Sequence, residues 1–180
     1  MRRPLIAVVL LLAGSADAQV DMDSSVSDAT LRAYYDVIGE AFSVTRKEIL
    51  IIRQEQIRDH QIPVVLFLAR QAKVKPREIV AARLRGADYL AIAARYKLTG
   101  EIFRFPCANV TGQPYQDAFA HLDARDKNLL TDDDIINLVL LRILVDRYHC
   151  APDAVMKPRA EGANFVQINL RLAEAGQAAR

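Results

Sequence analysis

The chain has 180 residues, 52% of them apolar and 26% charged, with a formal charge of +2. That length and apolar content suit one ordinary domain with a true core, and they exclude disorder over most of the chain. Charges of both signs are interspersed and nearly balance, which leaves no electrostatic footprint for nucleic acid or an anionic membrane.

The chain opens like an export signal. Arg2 and Arg3 precede an apolar run from Leu5 to Ala13, and Ala16-Asp17-Ala18 is a small-x-small cleavage site. Residues 1–18 are therefore expected to be a cleaved leader and residues 19–180 one helical domain, periplasmic or secreted. The apolar run is shorter than the roughly 20 residues a spanning helix needs, and no later stretch is long enough. Cleavage removes two arginines and one aspartate, taking the charge from +2 to +1.

From there the periodicity is helical. Leu31, Tyr34, Tyr35, Ile38 and Phe42 recur at three- and four-residue spacing and predict a first helix capped near Ser27 or Asp28. Thr45 and Glu48 form a capping box that opens a second helix through Ile49, Ile52 and Gln56. Ile62 to Ala72 is apolar nearly all round, which predicts a central helix. Pro76 suits a first helical turn, Gly86 a left-handed stop, and Asp88 a cap for a helix over Tyr89 to Lys97.

The next segment, residues 104–130, carries Pro106, Gly112 and Pro114 and reads as an irregular insertion with a helical turn around Tyr115 to Leu122. Its removal is expected to leave the fold nearly intact. Thr131 followed by Asp132, Asp133 and Asp134 caps a long apolar helix from Ile135 to about Tyr148. Pro152 to Glu161 and Asn164 to about Glu174 follow, with a kink or early end expected at Pro158. Residues after Ala175 read as a frayed tail.

The chain repeats itself. Pro76, Arg83, Gly86, Ala87, Ile92 and Arg95 return as Pro152, Arg159, Gly162, Ala163, Ile168 and Arg171. A weaker copy places Glu48, Ile49, Arg53 and Ile62 on Glu78, Ile79, Arg83 and Ile92. This predicts an all-α fold of overlapping helix-turn-helix units, about residues 31–72, 62–98 and 131–174, forming one compact bundle.

The runs Ile62 to Ala69, Arg83 to Tyr89 and Ile135 to Val139 resemble a group of uncharacterised exported bacterial all-helical proteins, over roughly Tyr34 to Arg171. The resemblance implies helical fold and export, with no activity to carry over. The departure lies in residues 104–130, where those relatives have a longer loop rich in Gly, Pro and Tyr.

Candidate chemistry is sparse. Gly86-x-x-Tyr89-x-x-Ile92 resembles a DNA-binding corner, but export and balanced charge favour a packing corner. Cys107 and Cys150 admit two readings: a disulfide closing a loop of roughly forty residues, worth about 3 to 4 kcal/mol, or a buried Cys150 beside a free Cys107. His121, Asp123 and Asp126 have the donors for a metal, though a solvated polar face explains them as well. Asp126-x-Asn128 starts like a calcium loop, then loses the fifth ligand and the turn glycine to Leu130 and Thr131. Arg53, Arg83 and Arg159 either offset helix ends or share an anion-binding groove. Asn109-Val110-Thr111 matches a glycosylation acceptor, relevant only in a eukaryotic host.

No nucleophile triad, phosphate loop or Cys-x-x-Cys is present in the sequence, so no catalytic residue, cofactor or metal is assigned. The expected function is a non-catalytic envelope protein that binds a protein or peptide, with Phe103, Phe105, Tyr115 and Phe119 as contacts. A small-ligand or metal-binding protein is the alternative.

Overall fold

A computed structural model describes residues 27–124 and 129–178. The leader and Asp126 and Asn128 lie outside the described residues. Among the described residues the chain is all-helical: α1 (Asp28–Phe42), α2 (Arg46–Gln54), α3 (Ile62–Ala72), α4 (Pro76–Leu84), α5 (Tyr89–Arg95), a 3-10 turn (Gly100–Phe103), α6 (Tyr115–Asp123), α7 (Asp132–Tyr148), α8 (Asp153–Ala160) and α9 (Phe165–Ala178). None of these helices is long and apolar enough to cross a membrane.

The helix starts follow from their caps. Ser27 Oγ accepts from the Thr30 amide, Asp88 Oδ1 from Ala91 at 2.6 Å, and Asn164 Oδ1 from Gln167 at 2.9 Å. Thr45 and Glu48 form the expected capping box, and Thr131 with Asp134 forms another. Each cap satisfies amides that the first helical turn leaves open.

The stops are left-handed residues, and they recur. Ser43 and Gln56, Lys73 and Gly86, His149 and Gly162 all have positive φ, between 49° and 94°, and each pair is thirteen residues apart. At four of these stops the amide that follows reaches back five residues. Val44 bonds Gly39 O and Val74 bonds Ala69 O, both at 3.0 Å; Ala87 bonds Ala82 O at 3.3 Å, and Ala163 bonds Pro158 O at 2.9 Å. The sequence predicts a stop at Gly86, but the equivalent turn at Gln56 carries a side chain and α2 ends two residues earlier than expected, at Gln54.

The core is organised on α3 and α7. Every residue from Ile62 to Ala69 is buried, and so is all of Asp134 to Leu144 except Arg142. Helices apolar on every side must be surrounded. Accordingly α7 touches α1, α3, α5, α6, α8, α9 and the 3-10 turn. In addition α1 packs on α3, α3 on α5 and α7 on α9, while α9 also returns to α1.

Three expectations are corrected. Pro158 does not end α8 early: α8 stops at Ala160, the position matching Leu84 at the end of α4, because a proline two residues from a helix end removes one amide bond only. The residues after Ala175 are helical as far as Ala178. The described residues of the 104–130 segment are attached to the core. Tyr115, Ala118 and Leu122 of α6 are buried against the core, and Arg142 of α7 donates from Nη1 to Ile102 O at 3.2 Å and from Nη2 to Arg104 O.

Candidate functional site

The polar side chains that the sequence singles out sit at two places, the N-terminus of α7 and the corners before α5 and α9. At the first, the three consecutive acids divide their work. Asp132 accepts from the Tyr89 amide at 2.8 Å and meets Arg83 at 2.5 Å, tying α7 to α4 and α5. Asp134, 5% exposed, accepts from Thr131 and lies 2.8 Å from Nδ1 of His121 on α6. Asp133 acts on His60, in the connection before α3, through its charge. Burial lowers the His60 pKa; Arg58 and Arg159 push the same way, against Asp133 and Asp59.

At the corners two of the recurring arginines do one job. Arg83 donates to Ala87 O at 2.9 Å and stands 4.6 Å over the Tyr89 ring. Arg159 donates to Ala163 O at 3.3 Å, stands 5.0 Å over the Phe165 ring, and donates from Nε to Asn137 at 3.0 Å. Arg53 meets Asp59, 3.1 Å away, and Asp59 also accepts from the Tyr35 hydroxyl. Arg83 and Arg159 thus each brace a corner and reach α7, while Arg53 pairs with Asp59. His121 and Asp123 are engaged likewise, the second by Arg104 at 2.8 Å. Among the described residues no group of three His, Cys, Asp or Glu is placed to hold a metal.

The expected contact aromatics are also structural. Phe103 is 1% exposed, Phe105 8% and Tyr115 0%; only Phe119 is part-exposed. Phe103 stacks at a tilt on Phe67, centroids 5.8 Å apart. A run of aromatics in an irregular segment signals a strap anchored in the core as readily as a free surface, so three of the four are corrected to core residues. Cys107 and Cys150 are part-buried free thiols, and Cys107 Sγ donates to Asn109 O at 2.8 Å.

The surface feature that sequence reasoning missed is a cleft of about 430 Å³ between the C-terminal parts of α1, α3 and α7. Its apolar wall is Phe42, Phe67 and Ile143. Arg70 stacks 4.6 Å over Phe42 and donates to Ala41 O at 2.5 Å; Arg142 stands 5.4 Å over Phe67. Arg147 pairs with Glu40 at 3.0 Å, and both are about half exposed. The cleft thus presents aromatic faces between guanidinium groups, a setting that takes both apolar and polar groups of a ligand. Its residues come from three helices far apart in sequence, so no local motif announces it. Comparison with protein-family models, with curated proteins and with solved structures found no match to this chain.

Proposed function

We propose that the protein is an exported, non-catalytic binding module, and that a peptide or protein segment docks in the cleft between α1, α3 and α7. The observation that carries this reading is the cleft's make-up: an aromatic and aliphatic wall under arginines whose planar heads stack on it. Aromatic rings and arginines are the side chains that contribute most at protein interfaces. The polar clusters elsewhere support a non-catalytic role, because Asp132, Asp134, His121, Arg83 and Arg159 are each committed to joining helices. The reading of residues 1–18 as a leader supports export.

We also infer that α1 to α3, α3 to α5 and α7 to α9 are three copies of one helical-hairpin unit. The recurrent left-handed stops thirteen residues apart and the matched arginine corners support it. Because α9 returns to α1, these units close on one another and form no extended groove, which is why the docking site is assigned to the cleft.

The test is capture from an envelope extract by the purified chain, compared with an Arg70→Glu/Arg147→Glu variant. Both side chains are exposed, so the variant should keep its helical content and a cooperative transition. A reproducible partner that the wild type captures and the variant loses is the expected result. Equal capture by both would overturn the cleft assignment.

A further inference from the structure

Resting on the docking reading above, we propose that the segment taken by the cleft is acidic. It carries an aspartate or glutamate beside an aromatic or aliphatic residue, and Arg70 receives the carboxylate.

Three guanidinium groups and two carboxylates line the cleft, so one positive charge is left over. Following the partners locates it. Arg147 and Glu40 meet at 3.0 Å and cancel. Burial pushes the Arg142 guanidinium pKa down, and the Asp146 carboxylate, four residues along α7, opposes that shift. Both terminal nitrogens of Arg142 are already engaged, Nη1 with Ile102 O and Nη2 with Arg104 O at the start of the strap. Arg70 is the remainder. Its side chain is exposed, and among the described residues it meets no carboxylate.

The setting of Arg70 suits a carboxylate in particular. Nη2 donates to Ala41 O at 2.5 Å, while Nε and Nη1 donate to nothing among the described residues. The head lies 4.6 Å over the Phe42 ring, a contact that fixes its plane and uses none of its donors. A planar fork with open donors matches the two oxygens of a carboxylate. Because the head is already placed, little of its freedom remains to be lost on binding.

The helix ends act in the opposite sense and have to be weighed. Phe42, Ala72 and Tyr148 end α1, α3 and α7. A helix C-terminus carries about half a negative charge, and its influence falls off within the last turn. At α1 and α3 the outward carbonyls are occupied. Glu40 O and Gly39 O accept the Ser43 and Val44 amides, and Arg70 O and Ala69 O accept those of Lys73 and Val74. Arg70 covers Ala41 O, and Arg147 stands in the last turn of α7. A full charge with open donors therefore outweighs what is left of the dipoles.

A basic segment finds neither of the things it needs. Glu40 is paired, Asp146 stands next to two arginines, and each ring of the wall already carries a guanidinium. An apolar side chain beside the carboxylate completes the fit, since Phe42, Phe67 and Ile143 form the wall next to Arg70. The volume of about 430 Å³ suits a few residues of chain.

The test is selection of a displayed library of random peptides on the purified full chain, run in parallel on Arg70→Gln and Arg70→Lys chains. Selected sequences should carry Asp or Glu next to an aromatic or aliphatic residue. A synthetic copy of the most frequent one should bind Arg70→Gln about tenfold more weakly than wild type. Changing its acid to the amide should weaken it to the same degree, and added salt should weaken the acidic form only. Arg70→Lys keeps the charge without the fork and should fall between. Circular dichroism of both variants checks that the helices are retained. Selected sequences that are basic or uncharged, acidic ones that bind Arg70→Gln as tightly as wild type, or no selected sequence at all would each overturn the acidic occupant. The docking reading fails separately, by capture from the extract that is unchanged in Arg70→Glu/Arg147→Glu. Cleft-dependent capture together with basic or uncharged selected sequences removes the acidic occupant alone.

Discussion

Asp132 shows how much one side chain carries here. It accepts both the Tyr89 amide and the Arg83 guanidinium, with only 25% of its side chain exposed. Asp132→Ala strands a helix-start amide and a half-buried cation, so it should cost about 2 to 4 kcal/mol. Chemical denaturation of the two chains side by side reads that loss as a lower midpoint with an unchanged slope. The Tyr115 hydroxyl makes the opposite case. Tyr115 is fully buried and its hydroxyl meets no partner among the described residues. Tyr115→Phe should leave stability equal or higher, whereas Tyr115→Ala, which opens a cavity, should cost about 3 to 5 kcal/mol. His60 gives the pH response. Its folded-state pKa lies below the ordinary 6.5, so on acidification the unfolded chain takes the proton first. Stability from this group is complete above about pH 6.5 and falls as pH drops beneath it. Glu48, held low by its bond to the Thr45 amide, loses its contribution only below 4.5, so the interval between belongs to His60. Melting curves between pH 7 and 5 should flatten in His60→Gln; an unchanged slope would exclude His60 as the source. At this scale the sequence was legible where a side chain acts on its own backbone, as at Thr45, Asp88 and Thr131. It was opaque where the partner is remote: nothing near Asp132 reveals Arg83, 49 positions away.

Among the elements, the strap and α6 separate what a sequence pattern can reveal from what it cannot. Gly112 and Pro114 rightly indicate an irregular path, and Tyr115 to Leu122 a helix, yet irregular backbone is not the same as loose attachment. Phe103, Phe105, Tyr115 and Leu122 enter the core, and their periodicity is interrupted by the prolines, so the buried side could not be read as one amphipathic stripe. Removing residues 104–130 should therefore abolish cooperative folding instead of leaving the fold nearly intact. A gentler test is Gly112→Ala, because its φ of 74° and the approach to Ala160 both oppose a side chain. The expected loss is about 2 to 4 kcal/mol, the sum of strain and overpacking. At Gly86, with φ 86° but open space around a Cβ, the same substitution should cost only about 1 kcal/mol. Equal costs at the two glycines, measured by thermal denaturation, would remove the strap's close approach as the cause. The repeated stop at Gln56, Gly86 and Gly162 makes the related point: two were visible as glycines, while the third falls on an exposed glutamine that no residue type announces.

For the whole molecule the question is whether the proposed hairpin units behave as a linear array or as one body. In a linear array each unit touches its neighbours only, and unfolding can begin at an end and stop partway. Two features oppose that here. The helix α7 sits among six other helices, and α9 closes back on α1, so no unit can leave without exposing the apolar surface of α7. The charge pattern agrees, since the ion pairs Arg83–Asp132 and Arg147–Glu40 join α4 and α1 to α7 across long stretches of sequence. A single cooperative transition is therefore expected, with probes in α2, α5 and α9 reporting one midpoint. Leu138→Ala and Leu141→Ala, both at fully buried positions of α7, should each lower that shared midpoint by about 2 to 5 kcal/mol of stability. In a linear array the same substitutions would split the transition, leaving the α1 to α3 hairpin to melt last and alone. Hydrogen exchange on the Leu138→Ala chain distinguishes the two: one closed body loses protection in α1, α3 and α9 together, and in a chain of separable units the loss stays within α7 to α9.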